Sequence, residues 1–172
     1  MTDEERIRSA LEAATSHYAA NPADARSTDS VATATLRAGL VVQVAAPTGE
    51  RITTDMVGSV GGTGTAPSPG WLLRAAEASC VATLIAMRAA TLGISLDFLE
   101  VTVDSESDDR GMLGMDDSVP AGPLTGRVRV RLTADGVDPS TLDEMARWGV
   151  EHCPVCNALE RPVPITVEVA TT

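Results

Sequence analysis

The stretch from Gly61 to Ile94, GGTGTAPSPGWLLRAAEASCVATLIAMRAATLGI, decides the fold prediction. It opens with a loop rich in glycine, serine and proline, a composition suited to closing over a site or positioning the next element. Ser68 is a suitable N-cap and Pro69 suits a first helical turn. The pattern therefore predicts a long helix from about Gly70 to Leu92, with Cys80 near its middle.

The charged side chains of this helix share one narrow face. At about 100° per residue, Arg74, Glu77 and Arg88 fall within a stripe of roughly 60°. The other side chains are apolar or small, and a helix with so narrow a polar stripe is normally buried on most sides. Cys80 lies beside the stripe, so we expect a mostly buried thiol with charged neighbours.

The flanking segments predict an α+β domain. Residues 1–24 read as an appended helix, and residues 25–172 as a single domain. Alternation and turn residues predict three strands between residues 30 and 57 and two more after the long helix. A second helix runs from Asp138 to about His152, and a last strand covers residues 162–170. This order indicates a mostly antiparallel sheet.

Composition and charge restrict the partners. Hydrophobic residues make up 44% of the 172 residues, which is enough for a packed core. The net charge of −11 argues against nucleic acid and against an anionic membrane, since both require a basic face. The N-terminus lacks the basic start and apolar run of a signal peptide. The apolar run from Val81 to Ile94 is interrupted by Arg88 and too short to span a bilayer. We therefore expect a cytoplasmic protein with reduced cysteines.

Two of the three cysteines lie in the stretch EHCPVCN, residues 151–157, and three interpretations are open from the residues alone. A zinc site requires four ligands, and His152, Cys153 and Cys156 would need Cys80 as the fourth, so we expect no metal. A redox CxxC motif normally starts a helix, whereas this motif is predicted to follow a helix end, which disfavours a thiolate. The cysteines can also be inert core residues.

Three segments together resemble the OsmC/Ohr family of hydroperoxide-reducing proteins. They are the loop and long helix at residues 61–94, the second helix ending in EHCPVCNAL, and the hairpin TATLRAGLVVQV with Arg37 just before its turn. The resemblance extends from about Val31 to Val169 and leaves the N-terminal helix outside. It implies an OsmC-like α+β fold, with a mostly antiparallel sheet packed on two long helices, and a homodimer with each site at the interface.

The same resemblance implies a thiol-dependent peroxidase that reduces organic hydroperoxides to alcohols. Cys80 would attack the peroxide, become a sulfenic acid and then form a disulfide with Cys153, with Cys156 as the alternative resolving thiol. Arg37 would supply positive charge at Cys80. An external dithiol, such as a lipoylated protein, would restore the thiols, and no cofactor is implied.

The chain departs from the family pattern at one position. Family peroxidases carry a glutamate about ten residues before the reactive cysteine, where this sequence has Gly70. Glu77, one helical turn before Cys80, is the candidate replacement. The missing glutamate favours an alternative of a different class, a non-catalytic protein of the same fold that binds a small apolar ligand at the dimer interface.

Overall fold

The computed structural model of the protein describes residues 1–171. Its helices and strands confirm the α+β class. In chain order they are α1 (Asp3–Ala20), β1 (Thr33–Ala38), β2 (Val41–Ala45), β3 (Arg51–Thr54), α2 (Pro69–Leu92), β4 (Phe98–Glu106), α3 (Asp109–Met112), β5 (Thr125–Thr133), α4 (Pro139–Glu151) and α5 (Pro154–Glu160). Short 3₁₀ turns lie at Pro22–Ala25 and Gly58–Val60.

Local sequence signals set the ends of the helices. Thr2 and Glu5 form the reciprocal capping box that starts α1, with each side chain accepting from the other residue's backbone N–H. The Ser68 hydroxyl accepts a hydrogen bond from the Trp71 N–H at 3.2 Å at the start of α2. Gly93 ends α2 with a φ of 71°, a left-handed conformation that favours glycine.

The strands form two separate antiparallel sheets. One has the order β1-β2-β3, and the other is the long hairpin β4–β5, in which Val101 pairs with Val130. Alternation in this hairpin directs the valines and leucines towards the helices. The opposite face carries ion pairs such as those of Arg127 and Arg129 with Asp104.

The core lies where α2 meets α4, α5 and the β4–β5 hairpin. Its buried members come from α2, from α4 and from the segment that follows α4: Val81, Ile85, Ala89, Met145, Cys153 and Cys156. Helix α4 comes very close to α2, because a Cβ built on Gly149 would lie 2.4 Å from Ile85 Cγ1. Helix α1 packs along α2.

Helix α2 has a second property that follows from its composition. Within residues 1–171 it is the one helix whose length and apolar character would allow it to cross a bilayer. Core helices of water-soluble proteins meet the same criterion, and α2 packs against α1, α4 and β4. These contacts favour a core role for the helix.

The sheet β1–β3 forms an arm that makes few contacts with the rest of the chain. Its apolar side chains are accordingly exposed: Leu36 on β1 is 64% accessible and Ile52 on β3 is 49% accessible. Three short strands without a packed face are marginal on their own. Within residues 1–171, the apolar side chains of the arm are left without a covering surface.

The predicted last strand is wrong. Residues 154–160 form helix α5, and residues 162–171 form no strand. The alternating apolar side chains at Val163, Ile165, Val167 and Val169 are all exposed, Ile165 by 84%. The alternation is real, but a strand also requires a neighbouring edge with free backbone groups. No strand of the described chain pairs with this segment.

Candidate functional site

The fold brings the three cysteines of the sequence together. Cys80 on α2 packs against a buried cluster that contains Cys153 and Cys156. Cys80 is half-buried, whereas Cys153 is fully buried. All three sulfurs are free thiols. The contact arises because α4 crosses α2 closely and returns the chain to the middle of α2.

The motif Cys153-Pro154-Val155-Cys156 follows the end of α4, as expected, and it also starts helix α5, which was not expected. Cys153 is the N-cap of α5, and its sulfur accepts a hydrogen bond from the Cys156 N–H at 3.4 Å. Pro154 occupies the first helical turn, where its fixed φ is favourable. Because the motif starts a helix, its position no longer argues against redox chemistry.

The pKa values of Cys80 and Cys156 are both raised, which favours the protonated form of these two thiols. Burial raises the pKa of Cys80, the neighbouring Cys153 thiol raises it further, and a hydrogen bond from the Val155 backbone lowers it. Burial, Cys153 and then Glu77 raise the pKa of Cys156 strongly. A reactive thiolate at this site consequently requires positive charge from outside these contacts.

Glu77 contacts a cysteine rather than an arginine. The Cys156 thiol donates to Glu77 Oε1 at 3.6 Å. Arg74, three residues earlier on the same face of α2, donates instead to Ser105 Oγ on β4 at 3.3 Å. Arg74 and Glu77 therefore share one face of α2 but have different hydrogen-bond partners.

Arg37 lies on the arm and is not brought to Cys80 within the chain. Its guanidinium donates to Gln43 Oε1, which also accepts a hydrogen bond from Arg51 Nη1 at 3.3 Å. The groups that set the pKa of Cys80 include no arginine. Two arginines thus stand side by side on an exposed surface of the arm.

A cavity of about 970 Å³ lies beside the thiols. Its apolar wall includes Leu73, Met112, Leu124 and Val128, and its polar wall includes Glu77. Cys156 lines the cavity, as do Gly70 and Arg74, whereas Cys80 does not. The sequence signalled the helical part of this wall. The part of the wall supplied by the loop between β4 and β5 was not predicted, because the spacing of residues in that loop does not indicate how the loop folds.

Asp55 holds the loop that leads into α2 and was not predicted from the sequence. This buried carboxylate accepts hydrogen bonds from the backbone N–H and hydroxyl groups of both Thr63 and Thr65. These hydrogen bonds lower the pKa of Asp55 well below its usual range. Gly62 is required here, because a Cβ would lie 1.8 Å from the Met56 carbonyl oxygen. The sequence signal that could have indicated this carboxylate-binding loop is Thr63-Gly64-Thr65, in which two threonines flank a glycine.

Metal ligation is not among the capacities of this cluster. Across residues 1–171, no three histidine, cysteine or acidic side chains are arranged so that they could hold a metal ion. The cavity, its acidic group and its thiol instead suit an apolar molecule with one reactive polar end.

Comparisons with known proteins agree on the fold. Residues 62–168, more than half of the chain, match the family described as OsmC-like protein. None of the curated protein sequences matches the chain. The matched segment contains all three cysteines and begins after the arm that carries Arg37.

Three solved structures illustrate the likeness. An OsmC-like protein from Mycoplasma pneumoniae has a TM-score of 0.66 at 16% identity, with 78% of this chain and 89% of that chain covered. An OsmC-like protein of unknown function from Vibrio cholerae has a TM-score of 0.65 at 13% identity, with 78% of this chain and 95% of that chain covered. An organic hydroperoxide resistance protein, OsmC, from Legionella pneumophila has a TM-score of 0.55 at 22% identity, with 78% of this chain and 90% of that chain covered. Identities this low establish a common fold and no more.

Proposed function

The protein belongs to the OsmC-like family, and from that membership we propose that it is a thiol-dependent peroxidase that reduces organic hydroperoxides to alcohols through Cys80. One observation carries the proposal: Cys80 and Cys153, far apart in the sequence, pack against each other in the core. The hydroperoxide resistance named for the Legionella pneumophila neighbour points in the same direction.

The reaction can be written with its atoms balanced. The Cys80 thiolate attacks the distal peroxide oxygen of ROOH, the O–O bond breaks, and the alkoxide takes a proton to leave as ROH. Cys80 is then a sulfenic acid. The Cys153 sulfur attacks it and releases water, which leaves a Cys80–Cys153 disulfide. An external dithiol, such as a lipoyl group, reduces the disulfide by exchange.

A second copy of the chain is proposed to supply the missing positive charge. Arg37 and Arg51 are exposed on the arm, and in this chain both donate to the neutral amide of Gln43. The cavity wall beside the thiols carries acidic groups, including Glu77 and Glu160. Opposite charges on the two surfaces favour docking of one copy's arm against the other copy's cavity. A guanidinium placed there would lower the pKa of Cys80.

The C-terminal segment supports the same homodimer. Residues 163–169 alternate apolar and polar side chains, yet no strand among residues 1–171 pairs with them. Both β1 and β3 are edge strands with one unpaired side. In a homodimer the segment can pair with an edge of the second copy and bury its apolar face.

We propose that the cavity, which Cys156 lines and Cys80 does not, holds the apolar group of a bulky peroxide while the peroxide end reaches Cys80, and this favours bulky peroxides over hydrogen peroxide. Its volume of about 970 Å³ and its wall of Leu73, Met112 and Leu124 suit an aromatic or alkyl group. Burying an apolar group contributes about 25 cal/mol per Å² of surface removed from water, a gain that hydrogen peroxide cannot obtain.

Counting thiols tests this function. The reduced protein has three thiols, and one equivalent of cumene hydroperoxide should remove two of them and release cumyl alcohol. Cys80→Ser should retain both of its thiols under the same treatment. Loss of thiols in Cys80→Ser at the wild-type rate would exclude Cys80 as the site of attack.

A second candidate function is favoured by two observations. The pKa of Cys80 is raised in the isolated chain, and Gly70 stands where family peroxidases carry a glutamate. Both fit a non-catalytic protein that holds an apolar ligand in the cavity at the dimer interface. Retention of all three thiols after exposure to several organic hydroperoxides, together with saturable binding of an apolar fluorescent probe, would favour this candidate.

A further inference from the structure

Cys156 occupies a position that the reaction above does not use. It lies in the first turn of α5, and its backbone N–H contacts the Cys153 sulfur at 3.4 Å. Among the three thiols it is the one that lines the cavity. Cys153, by contrast, has no exposed surface, and Cys80 does not line that cavity.

Cys153 therefore has two potential disulfide partners. On one side it meets Cys80 of α2, and on the other it meets Cys156 of its own helix. Helix geometry places the Cα atoms of residues three apart about 5 Å from each other, within the range of about 4.4–6.8 Å that a disulfide spans. The same sulfur can consequently join either neighbour while the backbone stays in place.

Glu77 provides Cys156 with a proton acceptor. The Cys156 thiol already donates to Glu77 Oε1 at 3.6 Å. Burial and the nearby Cys153 and Glu77 raise the pKa of Cys156, so the thiol keeps its proton until a reaction removes it. A carboxylate in contact can accept that proton as the sulfur attacks, which is general-base catalysis.

We propose that Cys156 is a third redox thiol, which moves the disulfide from Cys80–Cys153 to Cys153–Cys156. The inference rests on the proposed function and adds the route by which the oxidised site meets its reductant. Cys156 loses its proton to Glu77 and attacks Cys153 Sγ. The bond to Cys80 breaks, and Cys80 leaves as a thiolate, so no net oxidation or reduction occurs.

The exchange moves the disulfide to the cavity wall, where Cys156, although only 5% exposed, is the thiol that a dithiol inside the cavity meets. The dithiol enters the cavity and attacks Cys156, which forms a mixed disulfide and releases Cys153 as a thiol. The second thiol of the reductant then attacks the mixed disulfide, departs as a cyclic disulfide and restores Cys156. Cys80 is already free for another peroxide before the reductant arrives.

Disulfide mapping separates the two oxidised forms. All 13 basic residues are arginines, so trypsin cuts only after arginine and isolates Cys80 in the peptide 75–88. Cys153 and Cys156 share the peptide 148–172, since cleavage after Arg161 is blocked by the proline that follows. A Cys80–Cys153 disulfide links the two peptides, and a Cys153–Cys156 disulfide leaves them separate. Oxidation with diamide, followed by acid quenching at increasing times, requires no peroxide reaction.

We expect the linked peptides to appear first and to be replaced by the internal disulfide. Cys156→Ser should accumulate only the linked form, and dithiothreitol should reduce it about tenfold or more slowly than wild type. Glu77→Gln should slow the replacement and leave the final form unchanged. Melting temperatures of both variants near that of the wild type exclude unfolding as the cause.

Two results would overturn the proposal: linked peptides alone at every time in wild type, or wild-type reduction kinetics in Cys156→Ser. Failure of the peroxidase function gives a different pattern. In that case cumene hydroperoxide leaves the thiols intact, while the diamide-oxidised protein still exchanges its disulfide.

Discussion

Replacing Gly149 with alanine should separate α4 from α2 and disturb the cysteine site at the same time. A Cβ at this position would lie 2.4 Å from Ile85 Cγ1 and 3.3 Å from the Ile85 backbone nitrogen. Carbon atoms in contact normally lie about 3.5–4.0 Å apart. A rotamer change of Ile85 relieves the first contact but not the second. The helices must therefore move apart by about 1 Å where Ile85 keeps its rotamer, and by a few tenths of an ångström where the rotamer changes.

The magnitude follows from two opposing terms. Overpacking a core contact costs about 1–3 kcal/mol. Replacing glycine by alanine inside a helix returns up to about 1 kcal/mol. We expect a net loss of about 1–2 kcal/mol in the free energy of unfolding. The shift also moves Cys153 relative to Cys80, and a displacement of about 1 Å can slow a positioned reaction by up to about a hundredfold.

Urea unfolding and the rate of Cys80–Cys153 disulfide formation measure the two effects. Gly70→Ala is the matched control, because its Cβ in α2 would have ordinary contacts at 3.9 Å with Arg74 and Ser68. That variant should unfold at the wild-type urea concentration or higher. An unchanged or increased stability of Gly149→Ala would refute the close crossing of the helices, and an unchanged disulfide rate would refute its role in positioning the thiols.

Three further predictions concern the loop, the core and the arm. Asp55→Asn should lower the melting temperature at neutral pH. Because the pKa of Asp55 is depressed in the folded protein, its contribution to stability is fully present above the unfolded-state pKa, near pH 4. The difference in melting temperature between wild type and variant should therefore close as the pH falls below that value. Met145→Ala should cost about 2–5 kcal/mol by urea unfolding, whereas Met115→Ala, at a 70% exposed position, should change stability by less than about 0.5 kcal/mol. Arg37→Gln should shift the pH profile of Cys80 oxidation to higher pH, while the mass of the homodimer stays unchanged. An unshifted profile would exclude Arg37 as a group that lowers the pKa of Cys80.

Local signals in the sequence were sufficient for most of the fold. Ser68, Pro69 and Gly93 set the ends of α2 as expected, because capping depends on neighbouring residues only. Strict alternation around Arg127–Leu132 identified β5 for the same reason. Local sequence signals were sufficient to predict these elements, and tertiary contacts did not override those signals.

The end of the chain shows where local signals fail. Pro154 after Cys153 is itself a helix-start signal, and the helix it starts, α5, ends before the predicted strand begins, so it does not replace that strand. The valines at 163, 167 and 169 do have strand character, but within residues 1–171 this segment pairs with none of the free strand edges. Pairing between distant segments is not encoded in spacing.

The candidate site was predicted in part for the same reason. The Cys80 helix and the Cys153 motif could be identified, and the fold brings them into contact. Glu77 does lie at the site, but its partner is Cys156 rather than an arginine, since that contact depends on how α5 packs on α2. Arg37 lies on the arm, which makes few contacts with the rest of the described chain, and its place relative to Cys80 could not be read from spacing.

The reaction rate of the reduced protein with cumene hydroperoxide tests the central claim most directly. If charge from a second copy activates Cys80, the second-order rate constant should exceed that of free cysteine by at least about a hundredfold, as expected for one well-placed charged group, and Cys80→Ser should lose the excess. A wild-type rate constant equal to that of free cysteine, measured in a protein shown to be a homodimer, would contradict the peroxidase account.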